Sequence, residues 1–246
     1  MTDSAGVPWA GRRFEQNASS DDDGAAPEAL MEAIRRFHTG ELGEADVVDA
    51  VRDSRLLIPL VAELGADGVT EHGHDKSQEL SIVTVAGPDG RTVLPAFTSV
   101  DAMARWNSSA RPVPATAARV ALAAASEGTD LVVLDPTSDT EFVVRRPALW
   151  AIAQAQQWTP SHADPDVLAA FMAGAEPEPV VAAVLLAAGD PGCRLAGPEL
   201  IVQLSLAPGL DQVALDTLLA RVRDRWSHDE LIAARVDSMR VVLVGA

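Results

Sequence analysis

The sequence predicts an α/β protein, of the α+β kind with mixed sheets, built as two related sheet-plus-helix units that each run strand, strand, helix, strand. Three observations carry this reading. Two strand-like runs within residues 79–97 flank Gly87-Pro88-Asp89-Gly90, where proline pre-sets the first turn dihedral and glycine accepts positive φ, the signal of a β-hairpin. Helical apolar stripes alternate with short apolar runs of strand length, as in sheets covered by helices. The order of elements in residues 80–135, with an extra alanine-rich helix inserted, recurs in residues 180–244 without convincing residue identity between the copies.

Residues 1–26 carry Gly, Ser, Asn and the run Asp21-Asp22-Asp23 with no periodicity, and are expected to form a flexible acidic tail. Within it lies Pro8-Trp9-Ala10-Gly11-Arg12-Arg13-Phe14. Trp9, Arg12 and Phe14 are the residue types that anchor a short peptide in a groove, although termini are mostly untied. Pro27 then favours a helix start, with Leu30, Met31, Ile34 and Phe37 on one face and Gly40 as the stop. A second helix from Glu44 presents Val47, Val48 and Val51. The run from Arg55 to Ala62 has strand length, and Pro59 within it points to an edge or a bulge. Residues 65–77 are polar and read as a loop.

After the hairpin, Ser99 is placed to cap a helix bearing Val100, Met103 and Trp106, with Asp101 in its positive first turn. An alanine-rich helix over residues 116–128 precedes two strands, 130–135 and 141–145, and Pro147 starts a further helix. Residues 27–157 are thus expected to form one α/β domain and residues 158–179 a linker with a short helix. Residues 180–246 form a smaller α/β domain, whose helix shows Leu215, Leu218, Leu219, Val222 and Trp226 as a stripe laid on a sheet.

Composition removes several function classes. Acidic residues outnumber basic ones by 36 to 19, a net charge of −17, which repels a phosphate backbone and makes nucleic acid and anionic membranes poor partners. No run approaches the length of a membrane span, and no signal peptide is expected at the N-terminus. The single Cys193 forbids an internal disulfide and fits the cytoplasm. A Walker A loop cannot be built around the only lysine, Lys76, and neither Gly-x-Gly-x-x-Gly nor Gly-x-Ser-x-Gly occurs. His72-Gly73-His74-Asp75 offers metal-type ligands, but the other histidines, His38, His162 and His228, lie in separate segments, and a solvated loop accounts for the motif. No cofactor or metal is expected.

Several strings taken together resemble the SseB family, named for enhanced serine sensitivity. They are Ser54-Arg55-Leu-Leu-Ile-Pro59-Leu60, Asp89-Gly90-Arg91, Leu94-Pro95-Ala96-Phe97-Thr98-Ser99, Trp106 and Asp135-Pro136. The likeness covers about residues 28–157, and the Pro8 to Arg12 string is similar to the actinobacterial branch. Where many members carry Asn-Pro-Gly, this chain has Asp135-Pro136-Thr137. The resemblance implies a scaffold with no agreed catalytic residues. A sulfurtransferase role would need a thiol whose pKa is lowered by backbone N–H groups, whereas Cys193 is followed by Pro198, which has no donor, and by Glu199.

What remains is a surface. Phe97, Thr98 and Ser99 lie where a strand meets a helix N-terminus, with Arg91, Trp106, Asp135 and Pro136 expected nearby; Ser99 as a cap and Phe97 as core explain the same residues. The expected function is a non-catalytic interaction or regulatory protein with a protein or peptide partner, not an enzyme. A module for a small amino-acid-like metabolite is the alternative, and a homo-oligomer is compatible with either.

Overall fold

The computed structural model describes residues 22–63 and 79–245. It confirms the α/β fold, with three sheets and helices packed between and outside them. Helices α1 (Glu28–His38) and α2 (Glu44–Arg52) form a hairpin. Pro27 is the N-cap of α1, and Gly40, at φ 74°, lets the chain leave it. Leu30, Ile34, Val47, Val48 and Val51 enter the main core. Residues 22–25, expected as tail, are tied down: Arg55 binds the Asp22 carboxylate at 2.7 Å and the Ala25 carbonyl at 2.6 Å.

Strand β1 (Arg55–Glu63) is a central strand between β2 (Glu79–Ile82) and β5 (Arg111–Thr116), antiparallel to both. Pro59 therefore marks neither an edge nor a bulge. Its role follows from the bridge between Leu57 and Phe97, which exchange backbone hydrogen bonds of 2.8 and 2.9 Å. The next facing positions in that register are Pro59 and Pro95, and neither has an N–H to give. The ladder ends after one bridge, and β1 passes on to β2. The strand expected over residues 79–86 is likewise divided: β2 joins β1, while β3 (Val85–Ala86) turns to pair with β4 (Thr92–Ala96). Strand β5 was not among the elements expected from the sequence, and it contains Pro112 and Pro114. Their spacing of two places both ring nitrogens on the outer edge, where no donor is needed.

The main sheet runs β3-β4-β6-β7, with β6 (Leu131–Leu134) parallel to β4 and antiparallel to β7 (Phe142–Arg145). Between β4 and β6 the chain forms α3 (Val100–Trp106), β5 and α4 (Ala117–Ser126). One sheet face, carrying Leu94, Ala96, Val132, Leu134, Phe142 and Val144, packs on α1, α2, α4 and α5 (Arg146–Ala153). The other face carries Val93, Leu131, Val133 and Val143.

A second unit repeats the plan. Strands β8 (Val181–Ala188) and β9 (Leu200–Leu206) are antiparallel, and β10 (Met239–Gly245) returns parallel to β9. Helices α7 (Gln212–Ser227) and α8 (Glu230–Arg235) lie between β9 and β10. Helix α6 (Pro165–Ala175), expected inside a linker, is instead part of this unit's core: Val167, Phe171 and Ala175 are buried against Trp226, whose indole N–H donates to the Phe171 carbonyl at 3.0 Å. Glu178, just beyond it, is gripped by Arg225 at 2.6 Å and by Arg221, which holds its carboxyl down at about 2.

The two units are locked by a loop and a buried cation. Residues 189–198 fold around the Asp190 carboxylate, which accepts from the backbone N–H groups of Arg194, Leu195 and Ala196. Gly189 and Gly197 pinch the base of this loop, because a Cβ on either would strike the backbone opposite. Its tip enters the first unit: the Cys193 carbonyl accepts from Val143 N at 2.8 Å and so covers the β7 edge, while Leu195 joins Val93, Val133 and Val143. Arg145, with its side chain 3% exposed, reaches Asp190 at 2.6 Å and Asp237 at 3.1 Å, and Arg91 adds a second contact to Asp237 at 2.9 Å.

Replacing Arg145 with alanine leaves Asp190 and Asp237 buried without their shared cation. Such a loss costs about 3–5 kcal/mol, so a urea titration should show a correspondingly less stable chain, and a change under about 1 kcal/mol would mean the units hold without it. Beside this network, burial, with the Glu199 carboxylate facing it, pushes the Glu44 carboxyl up to about 7, Asp190 adding to the rise and Arg145 opposing it. The folded chain thus retains a proton that the unfolded chain releases nearer the ordinary glutamate range. The stability this confers is full below that range and is lost as pH rises through about 7. Stability against thermal unfolding is expected to fall by about 2–3 kcal/mol between pH 5 and 8. Glu44→Gln should flatten that slope in part, because burial raises Glu199 in the same direction; an unchanged slope would remove Glu44 as its source.

Candidate functional site

Strands β4 and β6 are parallel neighbours, and ligands of open α/β sheets gather beyond the carboxyl ends of such strands. At that end Phe97-Thr98-Ser99 leads into α3 and Asp135 begins the loop to β7. Asp135 sits at φ 42° and Thr137 at φ 66°, in the left-handed region that aspartate tolerates better than most residues. The buried Asp135 carboxylate accepts from Thr98 N at 2.9 Å, Thr98 Oγ1 at 2.7 Å and Thr140 Oγ1 at 3.0 Å. Glu141 accepts from Thr137 N at 2.6 Å. The loop is therefore held rigid from inside, with Thr137 presented outward.

Of the residues read from sequence as a site, only some meet. Trp106, Asp135 and Pro136 line one cleft. Phe97 is fully buried beneath it, its ring 5.2 Å from that of Trp106. Thr98 is consumed by Asp135, and Ser99 caps α3 by accepting from Ala102 N at 3.1 Å. The N-terminus of α3, beside which these residues were placed, is not open to a ligand at Val100: its N–H already donates to the Gly24 carbonyl at 3.0 Å, and the helix has only 7 residues. Arg91 lies away from the cleft, between Asp89 and Asp237 at the junction of the units. Trp9, Arg12, Phe14 and the His72, His74 and Asp75 motif lie outside the described residues.

The cleft has two ends that share Trp106, Pro136 and Thr137. One end, about 400 Å³, is walled by Val85, Val93, Val133, Val143 and Leu195. It is the part of the main sheet's second face that the inserted loop leaves uncovered. The other, about 550 Å³, is polar and edged by Arg105, Ser138, Asp139 and Thr140. Sequence reasoning missed Leu195 and Arg194, which reach the cleft from the second unit, and Val85, Val93, Val133 and Val143, whose apolar character marks them only as strand. The exposed Arg105, one residue before Trp106, carried a usable signal.

Cys193 is buried, and burial together with the nearby acids Glu44 and Asp190 pushes its thiol far above the ordinary range, so it stays protonated. That is the reverse of what persulfide transfer requires. Among the described residues no three His, Cys, Asp or Glu side chains gather where they could hold a metal ion, and no helix is long and apolar enough to cross a membrane.

A mixed-sheet α/β scaffold, with a two-ended cleft beyond its parallel strands and a second unit supplying part of the wall, is the class of protein these features define. The SseB protein N-terminal domain matches residues 28–151, half of the chain, and the chain belongs to the SseB family. No curated protein and no solved structure matches it.

The Asp135 knot makes a direct test of how the cleft is held. Asp135→Ala orphans the buried Thr98 N–H and hydroxyl, at a cost of about 2–3 kcal/mol, and should speed hydrogen exchange through residues 135–141. Asp135→Asn, which keeps one acceptor and the left-handed preference, should lose less than half as much. Equal losses in the two variants would show that the carboxylate is not the element that matters.

Proposed function

We propose that this protein is a non-catalytic interaction protein that holds an extended peptide segment of a partner across the cleft at Trp106. The observation that carries this reading is the pairing of an apolar cavity, walled by Val85, Val93, Val133, Val143 and Leu195, with a polar one at Arg105 and Asp139, on either side of one aromatic ring. Such a layout fits a chain whose side chains alternate between an apolar anchor and polar contacts, with the half-buried Trp106 as the central contact. The buried polar groups beneath it, Thr98, Asp135 and Thr140, bond to one another and so fix the shape of the surface.

A second reading, a pocket for a small amino-acid-like metabolite, is favoured by the polar cavity's position beyond the carboxyl ends of β4 and β6. It is weakened by the loss of the α3 entrance to Gly24 and Ser99. The same protein separates the two. Selection from a displayed peptide library against the full chain should enrich sequences with a bulky apolar anchor, bound in the micromolar range, and Trp106→Ala should weaken them at least tenfold. A library that yields no binder, alongside a metabolite panel that raises the melting temperature by mass action, would replace the first reading with the second.

A further inference from the structure

The cleft lies within reach of a segment of this same chain. The described chain begins at Asp22, held by Arg55, and Gly24 is fixed to the N-terminus of α3 through its carbonyl. Trp106 is the last residue of that helix, about 9 Å further along its axis at the usual rise of a helix. Phe14 precedes Asp22 by eight positions, about 27 Å of chain at full extension, and Trp9 precedes it by thirteen. Both aromatic residues can therefore reach either end of the cleft. Their chemistry complements groups that line the cleft. Residues 8–14 hold two large rings and the adjacent cations Arg12 and Arg13, in a chain of net charge −17. The apolar end is walled by aliphatic side chains, and Glu141 at its rim and Asp139 in the polar end form no ion pair among the described residues, even with Arg194 and Arg105 lining the same cleft.

Resting on the reading of the cleft as a peptide site, we propose that its resident occupant is residues 8–14 of this protein, with Trp9 seated in the apolar cavity, Arg12 against Asp139 and Glu141, and Phe14 on Trp106. A tethered peptide acts at a local concentration in the millimolar range. The tail thus occupies the cleft by default, and a partner must displace it. The N-terminal segment is then an internal competitor that sets how strong an external peptide must be.

Full-length protein carrying a photoreactive benzoylphenylalanine in place of Trp9 tests this directly. Irradiation followed by mass spectrometry should place intramolecular cross-links at residues 85–93 and 133–143, reduced several-fold when Arg12 and Arg13 are both changed to glutamate. Cross-links on the β8–β10 sheet, between two copies, or scattered over the surface would overturn the proposal. A second measurement keeps it separate from the peptide-site reading. Trp9→Ala with Phe14→Ala should tighten the binding of a library-selected peptide at least tenfold, whereas unchanged affinity in that variant sinks the internal competitor and leaves the peptide site standing. Loss of the selected peptide's sensitivity to Trp106→Ala would bring down the site itself.

Discussion

A guanidinium at the end of one strand governs how this molecule is assembled. Arg145 closes β7, is almost wholly removed from water, and finds every side-chain partner it has in the second unit: Asp190, Asp237, Ser238 and the Gly197 carbonyl. A buried cation without such partners is prohibitively costly, so the second unit can cover Arg145 only by presenting both carboxylates to it. Arg146 repeats the arrangement more weakly, donating to the Ala233 and Val236 carbonyls that end α8. The replacement of Arg145 by an apolar residue of the same size could leave stability intact. What the ion network adds is a single relative placement of the units, since a shifted arrangement strands a charge.

That placement shapes the cleft. Leu195 is delivered by a loop anchored on Asp190, the same carboxylate that binds Arg145, so one side chain both orders the loop and fixes its position against β7. On the other side, the facing prolines Pro59 and Pro95 interrupt the ladder between β1 and β4. The break parts β1 from β4 on the side before Phe97; beyond Phe97 the Ser99 cap turns the chain into α3, and Trp106 comes to lie over Phe97. Two devices far apart in sequence thus set the two walls of one surface.

Much of the fold was legible in the sequence because it is written in local terms. The stripe Leu218, Val222 and Trp226, the Ser99 cap and the repeated strand, strand, helix, strand order all depend on neighbours within a few residues, and all appear in the structure. The failures share a cause. Pro112 and Pro114 look like strand breakers until their spacing of two is set against an outer edge, and Pro59 looks like an edge until Pro95 is placed opposite it. Helix α6 read as part of a linker because its apolar residues have no visible partner until Trp226, more than fifty positions later, folds onto Phe171. The cleft was half legible: Trp106, Asp135 and Pro136 belong to it, but Arg91 was assigned by proximity in the hairpin and is spent on Asp237. Nothing local connects Leu195 to Val93.

The polar residues that first suggested a binding site turn out to be occupied largely with one another. Beneath Trp106 the polar groups are paired with one another: Thr98 and Thr140 donate to Asp135, Thr137 N donates to Glu141, Val100 N donates to Gly24, and Ser99 is closed on Ala102. Satisfied polar groups of this kind hold a surface to one shape at little entropic cost on binding. The groups that remain at that surface are the Trp106 indole, an aliphatic wall, Thr137, Arg105, Arg194 and Asp139, and it is by covering them that the proposed peptide would bind.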